Sequence, residues 1–214
     1  MYIVVIILNM KLVNLYEQVL TEGVAGKHLV VVDIQPEYEN GFNYWLEDFI
    51  EYLNENYQTL NNLTFLYNGA ETLGMIEEGD YKMWWLENGL DEDILYSARF
   101  YDKGYAFFRY CLDEIGENET TNLVRHMLAN DVHDSRELDE DFWNTFVQKY
   151  GDDDVRELME FSDDCINIPD LIDEIKHYNN IVVCGGGVHE CLKEVEIAFN
   201  AINKPYQTLD EFTY

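Results

Sequence analysis

The sequence predicts a three-layer α/β fold: a mainly parallel sheet with helices on both faces, interrupted by a helical insertion. Three observations predict it. Leu29-Val-Val-Val-Asp33 is a continuous run of the kind found in strands buried on both faces. Phe42, Trp45, Leu46, Phe49, Ile50 and Leu53 then recur at helical spacing, and Leu63-Thr-Phe-Leu-Tyr67 reads as a second strand. Strand, helix and strand of these lengths make a right-handed crossover unit of a parallel sheet. Farther on, Ile181-Val-Val-Cys184 is another β-branched run that breaks at Gly185-Gly-Gly187 and leads into a helix.

Taken in order, the chain opens with Met1-Tyr-Ile-Val-Val-Ile-Ile-Leu, an apolar run without a basic flank or cleavage site and too short to span a bilayer. It reads either as an extra strand or as sequence ahead of a true start at Met10. Residues 11–21 predict a short helix with Leu12, Leu15, Val19 and Leu20 on one side, ended by Gly23 and Gly26. The strand at 29–33, the helix at 42–54 and the strand at 63–67 follow. From 74 to about 165 the chain is dense in acids, aromatics and helical periodicity. Helices are expected at 106–115, 120–129, 139–150 and 153–161, and 94–101 fits a strand or part of a helix. Asp134-Ser-Arg-Glu137 has the form of a capping box. Pro169 opens a helix at 169–178, and Leu192, Val195, Phe199 and Ile202 mark one at 190–202. A short strand at 206–209 completes the expectation: a single α/β domain over 1–214, with a helical insertion at about 74–165.

Composition narrows the function. Of 214 residues 47% are apolar, enough for one sizeable core, whereas 43 acidic against 13 basic side chains leave a net charge of −30. Such a surface repels nucleic acid and anionic membranes. It fits a strongly solvated exterior, or mimicry of nucleic acid toward a basic protein partner. Cys111, Cys165, Cys184 and Cys191 form no CxxC pair, which suits a reducing, cytoplasmic setting. A homo-oligomer is compatible with these features.

Two strand ends carry the candidate chemistry. Asp33 closes the first strand, and ligands of open α/β sheets bind at the carboxyl ends of strands; the same position also suits a turn-capping acid. Cys191 stands in the first turn of the helix after the glycines, where unpaired N–H groups favour thiolate. It is also in register with Val195, Ala198 and Ile202, so a small core residue is the plainer reading, and the acidic surroundings with Glu190 oppose a thiolate. His189 either polarises a substrate or hydrogen-bonds a loop carbonyl. A dinucleotide reading of Gly185-Gly-Gly-Val-His-Glu190 fails at its sixth position, because Glu190 repels pyrophosphate. His126, Asp131, His133 and Asp134 straddle a helix end, two of them resembling caps, and no metal site is expected from them.

At these two strand ends the chain resembles the isochorismatase-like cysteine hydrolases, which include nicotinamidases and related amidases. Asp33-Ile-Gln35-Pro-Glu37-Tyr38 reads as their first-strand motif, and Cys191 stands six residues beyond the strand-closing Gly185. The match covers about 29–68 and 168–209. What the resemblance implies is a Cys191, Asp33 and lysine site attacking an amide or related ester bond of a small molecule. It also implies an oxyanion hole of backbone N–H groups at Gly187 and Cys191, a cis peptide at Gly186–Gly187, Gln35 and His189 toward the substrate, and no cofactor. The lysine falls to Lys103 if the helical stretch is inserted after it, with Lys149 as the alternative and none as a third outcome. Asn68-Gly-Ala-Glu71 carries no histidine where a metal-dependent nicotinamidase would need one. The chain also stops short of the family's last helix and strand. The competing expectation is a catalytically inactive acidic binding or decoy protein on the same frame.

Overall fold

A computed structural model describes residues 25–69, 75–103, 108–130, 132, 139–151 and 168–214. Five strands form one sheet: β1 (His28–Val32), β2 (Asn62–Tyr67), β3 (Arg99–Asp102), β4 (Ile181–Gly185) and β5 (Tyr206–Thr208). Their order is β3-β2-β1-β4-β5 and every pairing is parallel. The helices are α1 (Glu39–Phe42), α2 (Leu46–Asn56), α3 (Glu78–Glu87), α4 (Glu92–Ser97), α5 (Phe108–Ala129), α6 (Glu140–Tyr150), α7 (Ile168–Ile175) and α8 (Cys191–Ala201).

Alternation along β1 explains why its apolar run is unbroken. Val30 and Val32 enter one core with residues of α5, α7 and α8, whereas Leu29 and Val31 enter the other with residues of α2, α3 and α4. Both faces of the strand are therefore covered, and all five of its residues are buried. The three-layer α/β expectation holds.

The stretch 74–165 does more than insert helices, because β3 within it joins the sheet beside β2. The helices expected at 106–115 and 120–129 run together as α5 across a break at Gly116, whose φ of 78° is not helical. At α6 the Asp139 carboxylate accepts from the Phe142 N–H at 2.7 Å, one of the four orphan donors of a helix start. The helices expected at 11–21 and 153–161, the opening apolar run, the Asp134-to-Glu137 cap, and Asp131, His133 and Asp134 lie outside the described residues.

Register positions the candidate site. Val32 pairs with Leu66 and Gly185, and Tyr67 pairs with Asp102. The residues that follow these strands are Asp33, Asn68, Lys103 and Gly186, so all four emerge at one edge of the sheet. Backbone bonds extend the ladder past the strands: Asp33 N–H to Leu66 O at 2.9 Å, Lys103 N–H to Tyr67 O at 2.8 Å and Gly186 N–H to Val32 O at 2.6 Å. No described helix is long and apolar enough to cross a membrane.

Candidate active site

Lys103 leaves the edge strand β3 and spans the end of β2 to reach β1. Its Nζ lies 2.9 Å from Asp33 Oδ2 and 3.2 Å from Glu194 Oε2, and it donates to Asn68 Oδ1 at 3.0 Å. Asn68, at the end of β2, sits between the two strands and donates from Nδ2 to Asp33 Oδ2 at 3.3 Å and to Tyr38 Oη at 3.1 Å. The side chains of Asp33, Lys103 and Glu194 are 0%, 1% and 2% exposed, so the ion pairs are shielded from water and from salt.

Cys191 and Glu194 are three residues apart on α8, which puts both on the helix face that meets this cluster. The thiol is buried and close enough for the charges of Asp33, Lys103 and Glu194 to act on it. Burial pushes it well above the usual thiol range, the Asp33 carboxylate adds to the rise, and the Lys103 ammonium opposes it. The thiolate expected from the helix start is therefore not the resting form: burial and acids outweigh the dipole. For Lys103, burial alone would lower the pKa, but Asp33 and Glu194 together hold it well above the ordinary lysine value.

The turn before Cys191 owes its shape to two glycines. Gly185 and Gly186 have φ of 80° and 53°, and a Cβ on Gly185 would lie 2.2 Å from the Val32 carbonyl oxygen. Among the described residues every peptide bond is trans, so the cis bond expected at Gly186–Gly187 is not present. The Gly187 carbonyl accepts from Glu190 at 2.9 Å and from Leu192 at 3.2 Å. No described group accepts from the N–H of Gly187 or Cys191, which leaves both available to an oxygen atom. Tyr214 clamps the turn: its N–H donates to Gly186 O at 3.3 Å, its carbonyl accepts from Val188 at 2.7 Å, and its hydroxyl donates to Asp33 O at 3.0 Å.

Of the residues singled out in the sequence, Cys191, Asp33 and Lys103 converge. Gln35 is buried beside them, but its amide is engaged: Oε1 accepts from Asn68 N–H at 2.9 Å, and Nε2 donates to Glu37 Oε2 at 3.0 Å. His189 is exposed on the turn and does not join the hydrogen-bonded cluster. Lys149 is elsewhere, paired with Glu119 at 2.6 Å. His126 stacks on Phe142 and hydrogen-bonds Asn130, and no grouping of three metal-ligating side chains occurs among the described residues.

Three participants escape a reading of the sequence alone. Asn68 could have been found from its place after β2, and Glu194 from its spacing to Cys191. Tyr214 gave no local signal. Compared with family models, with curated proteins and with solved structures, the chain matches none of them.

Proposed function

We propose that the protein is an isochorismatase-like hydrolase acting on an amide, or a related ester, of a small molecule. The observation that carries the reading is the 2.9 Å pair of Lys103 and Asp33, at the ends of β3 and β1, beside the Cys191 thiol that opens α8 after β4. In this reading Asp33 takes the thiol proton as Cys191 Sγ attacks the carbonyl carbon. The transfer moves charge within the cluster without adding any, so a thiol that resists free ionisation still reacts. Lys103 pairs with the Asp33 carboxylate beforehand and holds it in place. The N–H groups of Gly187 and Cys191 receive the carbonyl oxygen as it becomes negative. Asp33 then returns the proton to the departing nitrogen, the C–N bond breaks, and a thioester remains on Cys191. Water, giving its proton to Asp33, hydrolyses the thioester to the acid and restores the thiol.

The test is ammonia release from a panel of primary amides, with mass spectrometry for an acyl adduct on Cys191. Cys191→Ala is expected to lower release by about 10³-fold or more. Release at wild-type rate in that variant, or none from the wild type across the panel, would overturn the reading. A second reading, an inactive acidic binding protein on the same frame, draws on the buried, protonated thiol. It requires a binding activity that Cys191→Ala leaves intact.

A further inference from the structure

We propose that the groove between α3 and α4 is a docking surface for a helix of a partner protein, apolar along one side and rich in lysine or arginine beside it. The inference holds whether or not Cys191 reacts.

The argument begins with α3. Tyr81 and Trp85, four residues apart, are fully buried and meet Tyr67 and Phe65 of β2. That settles the inward side, and a surface helix is ordinarily polar on the other. Here Gly79, Lys82, Met83 and Leu86 recur at i, i+3, i+4 and i+7, a second stripe that lines an open groove of about 280 Å³. The facing wall repeats the spacing on α4, where Glu92, Leu95 and Tyr96 stand at i, i+3 and i+4. Leu95 is buried, whereas Met83, Leu86 and Tyr96 remain 52%, 40% and 81% exposed. Among the described residues the other large apolar side chains this exposed, Tyr44 and Val188, do not line the groove. Two helical ridges side by side receive a third helix, whose own ridges seat between them; a strand has no matching period. Met83 and Tyr96 are of the types that interface centres favour.

Charge then selects the partner. Glu87, Asp91, Glu92 and Asp93 are exposed on or beside the two helices. Lys82, the basic residue of the lining, is already engaged: it pairs with Glu78 and lies 4.7 Å from the centroid of the Phe100 ring. A second copy of this chain would set the same acids face to face, and an anionic bilayer would add phosphates to them. A basic helix meets them with opposite charge.

Calorimetric titration of the full chain in about 0.15 M NaCl uses three model peptides of about 14 residues. The first has leucine at i, i+3, i+4 and i+7 with lysine elsewhere, the second scrambles that order, and the third replaces every lysine by glutamate. The first is expected to bind at least about tenfold more tightly than the second, and the third not to bind. Met83→Gln combined with Leu86→Gln should weaken the first at least about tenfold. Gly79→Trp should do the same and serves if the double variant does not fold, because a Cβ at Gly79 meets nothing within 4 Å and the indole enters the groove. Tyr44→Ser, which removes an exposed aromatic ring outside the groove, should leave the affinity unchanged. No binding of the first peptide, or equal binding of the first and second, would overturn the inference, the latter leaving only the general attraction of cations to an acidic protein. So would binding of the glutamate peptide, an affinity untouched by the groove variants, or one lost equally at position 44. A dimer in sedimentation that the groove variants dissolve would also overturn it, giving the groove to a second copy.

Discussion

Asp33 holds its carboxylate in place at the expense of its backbone. It adopts φ 47°, in the left-handed region that non-glycine residues avoid, directly after five residues of regular strand. Strain of this sort costs on the order of 1 kcal/mol and persists where surrounding bonds over-determine it. Here the Asp33 N–H is fixed by Leu66, its carbonyl by Tyr214 and its side chain by Lys103 and Asn68. The opposite edge of the sheet carries a titratable residue of another kind. His28 starts β1, hydrogen-bonds Thr64 Oγ1 at 2.8 Å and packs its ring at a tilt against Tyr178, with centroids 3.8 Å apart. Burial, aided by the nearby Arg99 guanidinium, holds its pKa down to about 4. The fold therefore prefers neutral imidazole. The stability this gives is present above the unfolded value of about 6.5, declines as pH falls, and is lost below about 4. Relative to His28→Asn, the wild type should lose about 2 kcal/mol of its advantage between pH 7 and pH 4, after allowance for solvent screening. Urea midpoints for the two proteins check this; parallel pH curves would contradict it.

At the scale of elements, the junction between β4 and α8 is the tightest. Gly185→Ala brings a Cβ against the Val32 carbonyl, a backbone atom that no rotamer change can move aside. We expect a loss on the order of 3 kcal/mol, read as a lower urea midpoint. Gly187→Ala meets the Glu190 side chain first, at 3.2 Å, and should cost about 1 kcal/mol or less. Equal midpoints for the two variants would show that the turn has room to adjust. These contacts also explain what could be read beforehand. Leu29 to Val32 and Ile181 to Cys184 announce themselves because a strand covered on both sides needs apolar residues throughout. Cys191 and Asp33 were legible because strand ends are where such sheets bind ligands. Lys103 could be named only through a family resemblance, since nothing local says that an edge-strand lysine reaches across β2. Glu194 looked like one acid among 43 until the helix face carrying Cys191 was known. Long-range docking decides such cases, and spacing along the chain does not encode it.

At the scale of the molecule, charge dominates. A net −30 on 214 residues sets the folded state against itself, because folding brings the acids closer together. Raising NaCl from about 0.1 M to 1 M shortens the screening length from about 10 Å to about 3 Å. The melting temperature should rise by about 5 °C or more over that range, while the buried Lys103 pairs are scarcely affected. A flat or falling melting temperature would mean that surface ion pairs offset the repulsion. The same composition predicts a surface that repels anions, but it does not say how the few cations are deployed. Strand order has its own effect on how the protein comes into being. β1 leaves the ribosome well before its neighbour β4, which follows β2 and β3 in the chain. Until then one border of β1 stays open, a template for any stray strand in the cell. Asp33 and Cys191 can meet only after β4 and α8 have been made, so a translation product interrupted before them carries the sticky border without the thiol.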